Sequence, residues 1–137
     1  MSSTRRRKPE GIKANGRAGI RPAQPKRKRW GYLIVWEFQV PKGMEKRFEE
    51  VYGVKGDWAR FFGQDEAYMG TELIHHLKRR EPKAGRTYVT LDFWASQNAY
   101  DAFRRRHFAK YKAIDQECEE MTESEREIGR FVRILNE

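Results

Sequence analysis

Between positions 32 and 40 apolar side chains fall on every second residue. Tyr32, Ile34, Trp36, Phe38 and Val40 alternate with Leu33, Val35, Glu37 and Gln39 until Pro41, Lys42 and Gly43 end the run. Period two marks a strand, because successive side chains of an extended chain point to opposite faces. The even face is wholly apolar and the odd face is apolar in its first half, as expected of a strand covered on both sides. From Met44 the period lengthens: Met44, Phe48, Val51 and Tyr52, then Trp58, Phe61 and Phe62, stand among charged residues at helical spacing. Gly53 and Gly56 interrupt this stretch, which reads as one bent helix or as two shorter ones meeting near Gly53, and it ends at Gly63.

Positions 68–77 return to period two, with Met69, Thr71, Leu73, His75 and Leu77 on one side and Gly70, Glu72, Ile74 and His76 on the other. A charged turn containing Pro82 and Gly85 leads into a further extended run over 87–94, so the two strands are predicted to form a hairpin. Ser96 is placed to cap the next helix, whose stripe of Tyr100, Phe103, His107, Tyr111 and Ile114 keeps spacings of three and four. Cys118 and Met121 close a short continuation. Thr122 and Glu125 then stand at capping-box spacing and predict one further turn, and a last strand is expected over 128–135. The order strand, helix, strand, strand, helix, strand is a ferredoxin-like α+β plan, βαββαβ, a four-stranded antiparallel sheet with its helices on one face. If the helices cover Ile34, Trp36 and Phe38, the opposite face, with Leu33 and Val35, is left to water. A second copy packing sheet against sheet is the expected cover, so the sequence predicts a homodimer.

Charge divides the chain in two. Its 137 residues carry 29 Lys and Arg against 20 Asp and Glu, but residues 1–30 hold eleven of the cations and one acid, which leaves 18 basic and 19 acidic side chains for the rest. Residues 1–29 have few large apolar side chains and read as a disordered basic arm, ahead of a folded domain over 30–137 that contains all the aromatics. The arm's two clusters, Arg5, Arg6, Arg7 and Lys8, then Lys26, Arg27, Lys28 and Arg29, suit non-specific contact with nucleic-acid phosphates. Arg104, Arg105 and Arg106 read as a solvated helix face. No apolar run approaches the roughly 20 residues of a membrane span, and the basic start is not followed by the apolar stretch of a secretory signal. Cys118 is the only cysteine, which rules out an internal disulfide and a multi-cysteine metal site; a soluble, cytoplasmic protein without membrane partners is expected.

The stretch Tyr52, Gly53, Val54, Lys55, Gly56, Asp57, Trp58, Ala59, Arg60, Phe61, Phe62, followed by Gly70, Thr71, Glu72, Leu73 and by Thr90, Leu91, Asp92, Phe93, Trp94, resembles the antibiotic biosynthesis monooxygenase family. The Trp94, Ala95, Ser96 junction and the ending from Thr122 to Phe131 are also similar to it, particularly to its small bacterial members of unassigned function. The resemblance covers residues 31 to about 135 and implies a dimeric α+β barrel, in which two ferredoxin-like protomers join their sheets. The superfamily includes cofactor-independent oxygenases of aromatic quinols, haem-degrading enzymes and proteins with no known reaction, and a shared fold does not select among them.

Cofactor-free oxygenation requires a substrate that donates an electron to oxygen once deprotonated. The protein then supplies an apolar aromatic pocket, a proton acceptor and donors for the resulting oxyanion. Trp36, Trp58, Tyr88 and Trp94 are the candidate walls, and His75, His76 and Asp92 the candidate bases. Neighbouring histidines on a strand diverge, so only one of the two can face a given pocket. Asp92, on the same strand face as Tyr88 and Trp94, reads either as a buried carboxylate with a raised pKa or as the partner of an arginine such as Arg130. Haem is not expected. His107 falls too early on its helix for the axial ligand of the haem-degrading relatives, and their first-strand Asn is absent from 31–40. No metal site is expected either. The alternative to an oxygenase is a non-catalytic dimeric binding module whose arm contacts nucleic acid or another polyanion.

Overall fold

The computed structural model describes residues 29–79 and 85–135. In chain order the elements are β1 (Tyr32–Val40), α1 (Glu45–Tyr52), α2 (Asp57–Phe62), β2 (Tyr68–His75), β3 (Arg86–Trp94), α3 (Gln97–Arg106), α4 (Phe108–Glu117), a single 3-10 turn (Glu119–Met121) and β4 (Ser124–Val132). The strands form one antiparallel sheet in the order β2-β3-β1-β4, the ferredoxin-like arrangement. Two helices meeting near Gly53, the second alternative read from the sequence, are what forms: the Gly53 amide closes α1 on the Glu49 carbonyl, and Gly56 precedes α2.

The buried core lies between the sheet and the helices. Tyr32, Ile34, Phe38 and Val40 of β1, Tyr88 and Trp94 of β3, Phe48 and Tyr52 of α1, Phe61 and Phe62 of α2 and Phe103 of α3 are all buried there. Phe48 stacks on Tyr52 with ring centroids 4.1 Å apart, and Trp94 meets Phe62, Tyr68, Tyr100 and Phe103. Such edge and offset contacts add to the burial of large rings.

Four expectations need correction. The helix after Ser96 is not continuous: it breaks at His107 (φ −114°, ψ 28°) into α3 and α4, although the His107 amide still reaches Phe103 O and its carbonyl still accepts from Tyr111 N. A stripe spaced at 3.5 residues drifts around a straight helix, and the break re-aims Tyr111 and Ile114 at the core. The further turn expected at Thr122 does not form, because Thr122 is already extended. The last strand starts at Ser124 rather than 128 and ends at Val132; its edge position and polar first half hide it from a search for apolar alternation. The strand expected over 68–77 likewise stops at His75, leaving His76 and Leu77 outside it.

Two bulges decide which side chains reach the helix side. In β2 the register slips between Tyr68 and Gly70, where Gly70 has φ 116°, a conformation that a residue with a Cβ rarely adopts. Tyr68 and Thr71, three residues apart, therefore both face the helices, paired with Trp94 and Asp92. In β4 the slip opposite Val35 and Trp36 does the same for Glu127 and Arg130. One row across the sheet reads Thr71, Asp92, Ile34, Arg130, and another reads Leu73, Thr90, Trp36, Glu127.

Candidate active site

A cavity of about 440 Å³ lies between these rows and the helices. Its floor is formed by Trp36 and Phe38 of β1, Thr71 of β2, Thr90 and Asp92 of β3, and Glu125, Glu127 and Arg130 of β4. Tyr52, Trp58 and Phe62 close one side, and Arg104, Phe108, Tyr111, Lys112 and Asp115 of α3 and α4 form the roof. The size suits a small organic molecule, and the walls combine aromatic and charged side chains in equal number.

Asp92 is the most perturbed acid on this wall. Burial pushes its pKa up to about 6, against the opposing effect of the Thr71 hydroxyl, which donates to Asp92 Oδ1 at 2.6 Å. The Tyr68 hydroxyl in turn hydrogen-bonds Thr71 Oγ1. The pairing of Asp92 with Arg130 does not occur: β1 lies between their strands, which places them roughly 10 Å apart across the sheet. Arg130 instead meets Glu127 at 3.1 Å and donates to the Tyr32 hydroxyl at 3.4 Å. Glu125 is also raised, by burial first and then by repulsion from Asp115 and Glu119. Burial raises the Tyr52 and Tyr111 hydroxyls as well, so both stay protonated at neutral pH.

The predicted aromatic walls divide evenly. Trp36 and Trp58 line the cavity, whereas Tyr88 and Trp94 are core residues that do not reach it, the Tyr88 hydroxyl donating to Glu49 Oε2 at 2.5 Å. Neither histidine reaches it either. His75 is on the helix side but at the exposed end of β2, against the Tyr88 ring, with Arg86 3.1 Å from its Nδ1; His76 is exposed beyond the strand. His107 packs on Phe103 and Phe61 and is not among the lining residues. Among the described residues no cluster of three His, Cys, Asp or Glu side chains stands close enough to hold a metal ion, and no helix is long and apolar enough to cross a membrane. Of the arm, Arg5, Arg6, Arg7, Lys8, Lys26, Arg27 and Lys28 lie outside the described residues; Arg29 is exposed.

Arg104 is the residue that sequence reasoning misplaced. Rather than joining Arg105 and Arg106 in solvent, it turns inward, its guanidinium carbon 4.1 Å from the centre of the Tyr111 ring, and its buried Nε finds no acceptor. The signal was present, since Arg104 lies four residues after Tyr100 and seven before Tyr111, on the stripe itself. Trp58 Nε1, also buried, likewise lacks an acceptor.

A ferredoxin-like sheet with helices over one face is a fold that solved structures share with this chain. Two crystal structures of SnoaB, a cofactor-independent oxygenase from Streptomyces nogalater, one of them a point mutant, match with TM-scores of 0.54 and 0.55 at 20% and 19% identity, over 77% and 78% of this chain and 94% and 96% of theirs. A candidate antibiotic biosynthesis monooxygenase from Bacillus cereus matches with a TM-score of 0.52 at 14% identity, over 79% of this chain and 97% of its own. At these identities the likeness is one of fold. No family profile and no curated protein sequence matches the chain.

Proposed function

We propose that this chain is a cofactor-independent monooxygenase acting on a small, oxidisable aromatic held between sheet and helices. The observation that carries this reading is Asp92, a carboxyl with its pKa pushed up to about 6 on the wall of a chamber of about 440 Å³. A quinol gives an electron to oxygen readily only after losing a proton. Asp92 is ionised at neutral pH yet holds a proton firmly enough to take one in the transition state. Trp36 and Trp58 offer flat faces to a ring, and Arg104 is a fixed positive charge beside the anion that deprotonation creates. The fold shared with an oxygenase described as cofactor-independent supports the same reading.

A second copy belongs to this reading. The sheet face away from the helices carries Leu33, Val35, Val89, Leu91 and Phe131, none fully covered apart from its neighbour Phe93, and Ile74 stands 53% exposed on the same side. An apolar face of that extent is covered in a sheet-to-sheet homodimer. The buried free thiol of Cys118 suits a reducing, cytoplasmic setting.

The test is oxygen uptake with a naphthalene quinol, corrected for its uncatalysed oxidation. Asp92→Asn is expected to lower the protein-dependent rate by about 100-fold or more. A variant that matches the parent rate would remove Asp92, and with it the reading.

A further inference from the structure

We infer that Thr71 is a positioning residue for Asp92, and that the Gly70 bulge exists in β2 to complete a donor chain running from Tyr68 through Thr71 to one oxygen of that carboxylate. The inference rests on the base role proposed above for its purpose, but not for its geometry.

In a regular strand residues three apart face opposite ways, and Tyr68 would point away from Thr71. The register slip between Tyr68 and Gly70, with φ 116° at Gly70, turns Tyr68 to the helix side, where its hydroxyl meets Thr71 Oγ1. A threonine hydroxyl has one proton, and Thr71 gives it to Asp92 Oδ1 at 2.6 Å from the cross-strand position directly opposite. The Tyr68 hydroxyl must therefore be the donor in its own bond, and the chain has one direction: Tyr68 O–H to Thr71 O–H to Asp92. Both hydroxyl-bearing residues are buried. Asp92 Oδ1 is thus held, while Oδ2 takes no hydrogen bond from any described residue and belongs to a side chain that lines the cavity. A proton arriving from a ligand is received on Oδ2 without disturbing the chain.

The groups that face Asp92 from other elements are Tyr100 and Arg104 on α3, and Tyr111, Lys112 and Asp115 on α4. From β4 come Glu125, Glu127 and Arg130. Burial raises the proton affinity of Asp92, and the hydrogen bond from Thr71 lowers it. Removing the Thr71 hydroxyl therefore leaves one influence in place and deletes the other.

The experiment follows the ¹³C carboxyl signal of Asp92 by NMR in the full chain labelled at aspartate, with Asp92→Asn assigning the resonance. Thr71→Val, which keeps the side-chain shape, is expected to move the titration midpoint upward by about one pH unit. Thr71→Ser is expected to restore it, and Tyr68→Phe to give a smaller upward shift because the Thr71 donor remains. With a naphthalene quinol the acidic limb of the rate profile should move by the same amount. An unshifted midpoint in Thr71→Val, or a Thr71→Ser midpoint displaced as far as that of Thr71→Val, overturns the inference whatever the rate. A shifted midpoint supports the positioning role even where Asp92→Asn keeps the parent rate, so failure of the base assignment and failure of the chain are read separately.

Discussion

Asp92 stands under two opposed demands. An unfolded aspartate releases its proton near about 3.9, whereas Asp92 in the fold does so at about 6. Between those values the folded chain binds more protons than the unfolded one. The contribution of the neutral carboxyl is fully present below the unfolded value and is lost as pH rises through about 6. A difference of about two units corresponds to about 3 kcal/mol, an appreciable share of the stability of a small domain. Asp92→Asn cannot ionise and its carbonyl can still accept from Thr71. Thermal unfolding should show a melting temperature raised by several degrees more near about pH 8 than near about pH 4, while turnover is lost. An equal change at both values would mean that burial does not set this proton. The parent's own rate should climb with pH through about 6 as the base ionises.

At this same scale the site was partly legible. Asp92 is a carboxyl between the apolar Leu91 and Phe93 of a strand, and Trp36 and Trp58 are rings able to frame a flat substrate between sheet and helices. The histidines were misleading. Their chemistry is right for a base, but strand alternation says only which face a side chain takes, not how far the cavity extends along the strand, and His75, the last residue of β2, is not among its lining residues. Arg104 was hidden by company, since three consecutive arginines look like solvent-facing charge until each is placed on the helical stripe.

Among the elements, the pattern of apolar residues was enough for order and type because the buried face of each follows a single period. It fails where the period is broken on purpose. An isolated glycine inside strand alternation is the usual mark of a bulge, and Gly70 read that way would have moved Tyr68 beside Thr71. The slip in β4 carries the same mark in Gly129, opposite Val35, but it lies on an exposed edge where burial imposes little pattern against which a slip could be seen. The cap of α3 was legible and is testable. Ser96 Oγ accepts from Ala99 N at 3.1 Å, so Ser96→Ala should lower the unfolding free energy by about 1 kcal/mol in urea titrations. No measurable loss would show that α3 is held by its packed face alone.

For the whole molecule, the helix-covered face of the sheet was predictable from alternation in β1, and the need for something to cover the other face followed from the same residues. If a second copy does so, light scattering of the parent should give twice the protomer mass of 16.4 kDa. Leu91→Lys, in the middle of that face and away from the cavity, should give a single protomer, since a buried unpaired ammonium costs several kcal/mol. A Leu91→Lys chain that keeps the parent's mass would place the contact elsewhere.

Arg104 and Phe108 belong to two spaces at once, the inner chamber and a shallow cleft on the outer surface bounded by Asp101 and Arg105. Phe108 is 53% exposed there. Exposed side chains change rotamer in picoseconds to nanoseconds, whereas packed helices shift in microseconds or slower. The Phe108 ring can thus turn on the faster clock with the backbone standing still, whereas Arg104 is held against Tyr111.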